Sequence, residues 1–159
     1  MKSTIGVLLV EEVGFVRERL AELLAGIDGV QIVGQAGDAH AATSLLQKLQ
    51  PDVVVLDIDI PGRGGIELLE AIRKGSATPV TIALSDYDFH ALRRCCANLG
   101  ANFFLYKPDA FEGVVEVCQN LLRARDGAKA ARAAEAPDAP LIPGSAAMRA
   151  PGARPGGDE

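Results

Sequence analysis

Five side chains in this sequence could act together on one phosphoryl group: the acidic pair Glu11 and Glu12, the carboxylate Asp57, the hydroxyl Ser85 and the lysine Lys107. Each follows directly on an apolar run: IGVLLV, VVVL, VTIAL and FFLY. Two adjacent carboxylates near a third concentrate negative charge and call for a cation. Mg2+ suits such a place, because it takes few protein carboxylates, keeps its waters and bridges to phosphate oxygens. An ammonium at Lys107 could pair first with a carboxylate and then with a transferred phosphoryl oxygen, while Ser85 could donate to another. Taken singly, each residue has a plainer reading. Asp57 and Ser85 would cap turns or helices, the glutamates would be solvated charges at a helix N-terminus, and Lys107 would be a surface lysine.

The elements that must position these groups follow from periodicity. The four runs are short, continuous and rich in Val, Ile and Phe, as strands buried on both faces are. A fifth run, Val30 to Val33, ends without a charged residue and reads as an edge strand. Between the runs, apolar residues return every three to four positions. The first helix carries Phe15, Val16, Leu20, Leu23 and Leu24 and stops at Gly26; the second, capped by Asp38, carries Leu45, Leu46 and Leu49 and must end before Pro51. The third follows Gly65 with Ile66, Leu69 and Ile72. The fourth, capped by Asp86 or Asp88, carries Phe89, Leu92 and Leu99, and the fifth Phe111, Val114, Val115, Cys118 and Leu122. Strict strand–helix alternation with short links predicts an α/β fold, a doubly wound five-stranded parallel sheet with five helices and a site at the carboxyl ends of its strands.

This pattern occupies residues 1–126, an expected single domain. The stretch 127–159 holds 11 Ala, 5 Pro and 5 Gly in 33 residues and is expected to be a flexible tail, apart from a short extension of the fifth helix that Pro137 should end. Residues 1–126 carry 12 Lys and Arg against 17 Asp and Glu, so no basic face for nucleic acid is expected. No apolar segment approaches the roughly 18–20 residues that span a bilayer, and a cytoplasmic location is expected. Cys95, Cys96 and Cys118 lack metal-ligand spacing and read as reduced thiols; His40 and His90 read as surface residues.

The segments VLLVEE, VVVLDIDIPGRGG, TIALS and FFLYKP resemble the receiver domain of bacterial two-component response regulators, and the resemblance spans residues 5–125. It implies a flavodoxin-like strand order 2-1-3-4-5 and a phosphoryl group accepted by Asp57 from a sensor histidine kinase or phosphotransfer protein. It further implies Mg2+ held by Glu11, Glu12, Asp57 and the main-chain carbonyl of Asp59, with Lys107 and Ser85 on the phosphoryl oxygens. Ser85 and Phe104 would be the residues that switch. The resemblance also implies a Lys107–Pro108 bond that could be cis, and a signal read by a downstream protein on the face of the fourth helix, fifth strand and fifth helix, where a homodimer could also form. The segment SDYDFHALRRCCANLGANFFLYK resembles stand-alone receivers without a DNA-binding domain, which places Arg93 and Arg94 on or near that face. Such a chain is a signalling switch whose only chemistry is its own phosphorylation and dephosphorylation, not an enzyme acting on other substrates.

Two departures stand out. Glu12 replaces the family's usual aspartate, and its extra methylene should weaken Mg2+ binding. Asp59, Asp86 and Tyr87 form a rim whose carboxylates should oppose small anionic phosphodonors. These departures leave open a pseudo-receiver, a scaffold with this fold that is not phosphorylated. The spacing of Asp57 and Asp59 also resembles the first motif of haloacid-dehalogenase-like phosphatases, a second alternative.

Overall fold

A computed structural model describes residues 2–135. Its elements alternate as β1 (Ile5–Val10), α1 (Gly14–Ala25), β2 (Val30–Ala36), α2 (Ala39–Leu49), β3 (Val53–Asp57), α3 (Gly64–Lys74), β4 (Val80–Ser85), α4 (His90–Asn98), β5 (Phe103–Tyr106), a 3-10 turn (Lys107–Asp109) and α5 (Ala110–Glu135). All strand pairs are parallel and the order is β2-β1-β3-β4-β5, as expected. By internal contacts the chain divides into Met1–Leu122 and Arg123–Glu159. The linker reading of the tail beyond Glu135 lies outside the described residues.

Side chains alternate across a strand, so β1 feeds two cores at once. Val7 and Leu9 join Leu20 and Leu24 of α1 with Val114 and Cys118 of α5 on one face. Leu8 and Val10 join Ala42, Leu68, Leu69, Ile72 and Cys96, from α2, α3 and α4, on the other. Burial on both faces is why β1, β3 and β4 read as unbroken apolar runs.

Several local expectations are corrected. β2 runs three residues past Val33, because the register shifts between Val7 and Leu8 and the strand resumes at Gly34. Gly34 and Gln35 interrupt the apolar run, which is why the run alone ended too early. Phe15 is 79% exposed on the first turn of α1, Phe89 is also largely exposed, and Leu49 is only partly covered. Asp38 does cap α2, accepting from the Ala41 amide at 2.8 Å, but α4 has no side-chain cap. Asp88 pairs instead with Arg93, and the Asp86 carboxylate lies on the side of Lys107, 3.9 Å from its Nζ. Among the described residues no peptide bond is cis. The Lys107–Pro108 bond is therefore trans; Pro108 sits in the first turn of a 3-10 helix, where its fixed φ suits helical geometry.

The loop after β3 is held by close backbone packing. Gly62 turns it at φ +73°, and at Gly65 a Cβ would lie 2.5 Å from the Cα and carbonyl oxygen of Ile58. The start of α3 thus presses on the residue that follows Asp57, and only glycine fits. Gly65→Ala should cost about 2–3 kcal/mol by forcing backbone apart. Urea denaturation checks this, with Gly127→Ala as a control of opposite sign: it meets nothing within 4 Å and lies inside α5, where alanine should stabilise by about 0.5–1 kcal/mol.

Candidate functional site

The strands deliver their last residues to one edge of the sheet. Asp57 ends β3 and Ser85 ends β4, while Glu11 follows β1 and Lys107 follows β5. Because β1, β3, β4 and β5 run parallel and side by side in the order 1-3-4-5, these four groups converge, and a lysine from the sheet's edge spans to the carboxylates at its middle.

Lys107 Nζ lies 3.1 Å from Asp57 Oδ2 and 3.2 Å from Glu11 Oε1, with Asp86 Oδ2 farther off at 3.9 Å. Both near carboxylates are buried, Glu11 being 1% and Asp57 3% exposed. Glu11 is fixed from all sides. Its amide donates to the Ala36 carbonyl at 3.0 Å, its Oε2 accepts from the Val13 amide at 3.1 Å, and its carbonyl accepts from Arg17 Nη1 at 2.6 Å. Arg17 escaped the sequence reading. A cation in the helix immediately after the acidic pair was the available signal, since such a residue can reach back to the loop that presents the acids.

Asp57 Oδ1 accepts from the Asp59 amide at 2.9 Å. Burial pushes the Asp57 carboxyl up from 3.8 to about 6; the Asp59 amide opposes this, the Glu11 charge adds to it and Lys107 opposes it. Lys107 is displaced the other way from what burial alone would do. Desolvation disfavours its charge, but Asp57 and Glu11 outweigh that and raise its pKa.

Ser85 is fully buried, and its hydroxyl is already in use. Oγ donates to the Asp59 carboxylate, 3.0 Å from Oδ1 and 3.2 Å from Oδ2, and accepts from the Tyr87 amide at 2.9 Å. Asp59 Oδ2 also accepts from the Asp86 amide at 2.7 Å. Asp59 therefore binds the β4–α4 loop to the β3–α3 loop instead of pointing into water. Tyr87 is exposed and stacks on Phe89, ring centroids 5.8 Å apart. Phe104 is half-buried against the α4 side of the core, with Arg93 Cζ 4.8 Å from its ring centroid. Glu12 is exposed. The thiols of Cys96 and Cys118 are buried and pushed up to about 11, mainly by desolvation, which suits inert reduced cysteines; His40 and His90 are exposed.

The charge at this edge fits a small divalent cation. Two buried carboxylates face one ammonium, so the cluster carries net negative charge when all three groups are ionised. The fit does not extend to a ready-made cage. Among the described residues no three His, Cys, Asp or Glu side chains form a group able to hold a metal ion.

The response regulator receiver domain family matches residues 7–119. The chain belongs to that family. It is 38% identical over 116 residues to an uncharacterized response regulatory protein of Vibrio cholerae, covering 73% of this chain and 48% of the relative. It is 32% identical to a protein-glutamate methylesterase/protein-glutamine glutaminase of Alkalilimnicola ehrlichii, covering 93% of this chain and 39% of that enzyme. The chain thus spans less than half the length of these curated relatives. Among solved structures, a LuxR-family two-component response regulator from Aurantimonas matches with a TM-score of 0.70 at 28% identity, over 77% of this chain and 87% of that one. A chain of the CheX–CheY complex of Borrelia burgdorferi, solved with beryllofluoride and Mg2+, matches with a TM-score of 0.68 at 25% identity, over 75% of this chain and 90% of that one. Receiver domains of this kind are signalling switches, and no described helix here is long and apolar enough to cross a membrane.

The displaced carboxyl has a consequence for stability in this receiver. Between 3.8 and about 6 the folded state holds more proton on Asp57 than the unfolded state does, so its contribution to stability falls as pH rises through that window. Asp57→Asn cannot ionise and escapes this loss. Its Tm relative to wild type should therefore rise between about pH 4 and pH 7, as measured by thermal denaturation. A difference independent of pH would contradict the burial of a charged Asp57.

Proposed function

We propose that this receiver accepts a phosphoryl group on Asp57 from a phosphohistidine of a sensor histidine kinase or phosphotransfer protein. The observation that carries the reading is the buried Asp57 at a strand end, with Lys107 Nζ 3.1 Å from one of its oxygens. An Asp57 oxygen forms the new bond to phosphorus as the bond from phosphorus to the imidazole nitrogen breaks, and the electron pair stays with the imidazole. The carboxyl, with a pKa of about 6, is mostly ionised and nucleophilic at neutral pH. Lys107, freed from Asp57 Oδ2 as that charge is consumed, turns to a phosphoryl oxygen without leaving Glu11. Water later attacks phosphorus, the acyl oxygen leaves as the Asp57 carboxylate, and inorganic phosphate departs.

Mg2+, when bound, would neutralise charge on the phosphoryl oxygens. Glu11, Asp57 and the main-chain carbonyl of Asp59 are its proposed ligands, with Glu12 joining from its exposed position directly or through water. The signal would leave by Ser85 and Phe104 toward the face formed by α4, β5 and α5, read by a downstream protein or a second copy. Acidic charge on the domain argues against nucleic acid as that partner, and the proposed setting is the cytoplasm. The haloacid-dehalogenase alternative loses its general acid, because the Asp59 carboxylate is committed to Ser85 and Asp86.

One observation favours the second reading, a pseudo-receiver scaffold. Glu12 is exposed and the three-carboxylate group is not assembled. Incubation with a phosphorylated sensor histidine kinase or phosphotransfer protein and Mg2+ separates the two. The phosphoacceptor reading expects an alkali- and hydroxylamine-labile label on wild type that is lost in Asp57→Asn and with chelator, and a scaffold takes up none. Within the phosphoacceptor reading, Glu12→Asp should tighten Mg2+ several-fold in calorimetric titration; equal affinities would mean that the longer side chain carries no cost.

A further inference from the structure

The hydroxyl that a phosphoryl group on Asp57 would recruit is not free. A serine hydroxyl has a single proton to donate, and Ser85 gives it to the Asp59 carboxylate. The neighbouring amide of Asp86 is aimed at the same carboxylate, at 2.7 Å. Asp59 is itself tied to the acceptor, since its amide donates to Asp57 Oδ1. An anion two residues from the phosphorylation position thus holds two donors of the β4–α4 loop.

We propose that Asp59 is a positioning residue that stands in for the phosphoryl group in the resting protein, and that phosphorylation acts by exchanging the Ser85 hydroxyl and the Asp86 amide from the Asp59 carboxylate to the acyl phosphate. This rests on Asp57 being the acceptor. A phosphoryl group brings more charge and more acceptor oxygens than a carboxylate, and it repels Asp59 at close range, so the exchange runs forward once Asp57 is loaded. Before loading, the same contact opposes activation, because the first bond to Ser85 must be broken. The loop so released also carries Asp88, whose pair with Arg93 accompanies the guanidinium over Phe104. One loop therefore links the acceptor to the aromatic of β5.

Two readouts on the full chain test this. In the resting protein, amide hydrogen exchange at Asp86 should be accelerated in Asp59→Ala, while exchange in β1 and β3 stays unchanged. Beryllofluoride with Mg2+, which mimics the acyl phosphate, should bind Asp59→Ala roughly tenfold more tightly than wild type, the equivalent of one charge-assisted hydrogen bond no longer broken. In a Ser85→Ala background, Asp59→Ala should gain much less, because the shared hydroxyl is gone. Equal gains in both backgrounds would reduce Asp59 to a bystander charge and overturn the proposal, as would unchanged Asp86 exchange. If beryllofluoride binds neither wild type nor Asp59→Ala, the phosphoacceptor reading itself falls and takes the exchange with it. Binding without any difference between them removes Asp59 alone.

Discussion

The ammonium of Lys107 between Glu11 and Asp57 is the interaction on which the rest of the site depends. Two buried carboxylates would repel each other and lose hydration, and neither cost is met by the apolar sheet beneath them. One cation from β5 answers both at once. The compensation is incomplete: burial raises the Asp57 carboxyl to about 6, and Lys107 opposes that without cancelling it. With two carboxylates to one ammonium, this edge of the sheet has the charge that suits a divalent ion.

The fold supports this by geometry more than by specific chemistry. Parallel strands in the order 2-1-3-4-5 bring the ends of β1, β3, β4 and β5 to the same edge, so residues nearly a hundred positions apart meet without long loops. Rigid packing then sets the finer placement. Gly65 against Ile58 fixes the loop that follows Asp57, and Arg17 on the Glu11 carbonyl fixes the loop that follows β1. Against these, the β4–α4 loop is held largely by polar contacts to Asp59, and its Tyr87 and Phe89 rings are exposed. Contacts of that kind are more easily exchanged than packed backbone, so the loop best placed to move is the one carrying Ser85's neighbours.

Much of this was legible in the sequence because burial on both faces leaves a plain mark, which the runs at Ile5, Val53 and Val80 carry. The run at Phe103 located a fourth strand but for a different reason than expected: β5 is an edge strand with Phe103 and Tyr106 exposed, not one buried on both faces. The charged or hydroxyl residue closing each run located the edge where they meet. What periodicity cannot see is the partner a side chain will choose. Phe15 keeps helical spacing yet stands clear of the core on the first turn of α1. Asp88 looked like a cap, but an arginine five residues on competes for it more effectively than a backbone amide. Asp59 looked like a rim charge, and its bond to Ser85 depends on two loops from different strands coming together. Arg17 was missed because its acceptor is a carbonyl, a group every residue carries. In β2, a bulge and a glycine hid the second half of a strand that backbone hydrogen bonding sustains without apolar side chains.

The central claim is that Asp57 is a buried carboxyl whose charge is only partly met by Lys107. Carbon-13 NMR titration of the Asp57 carboxyl tests it directly. It should give a pKa of about 6 in wild type, a higher value in Lys107→Met, and a lower one when Mg2+ is added. A value near the ordinary 3.8, unmoved by either change, would contradict the account.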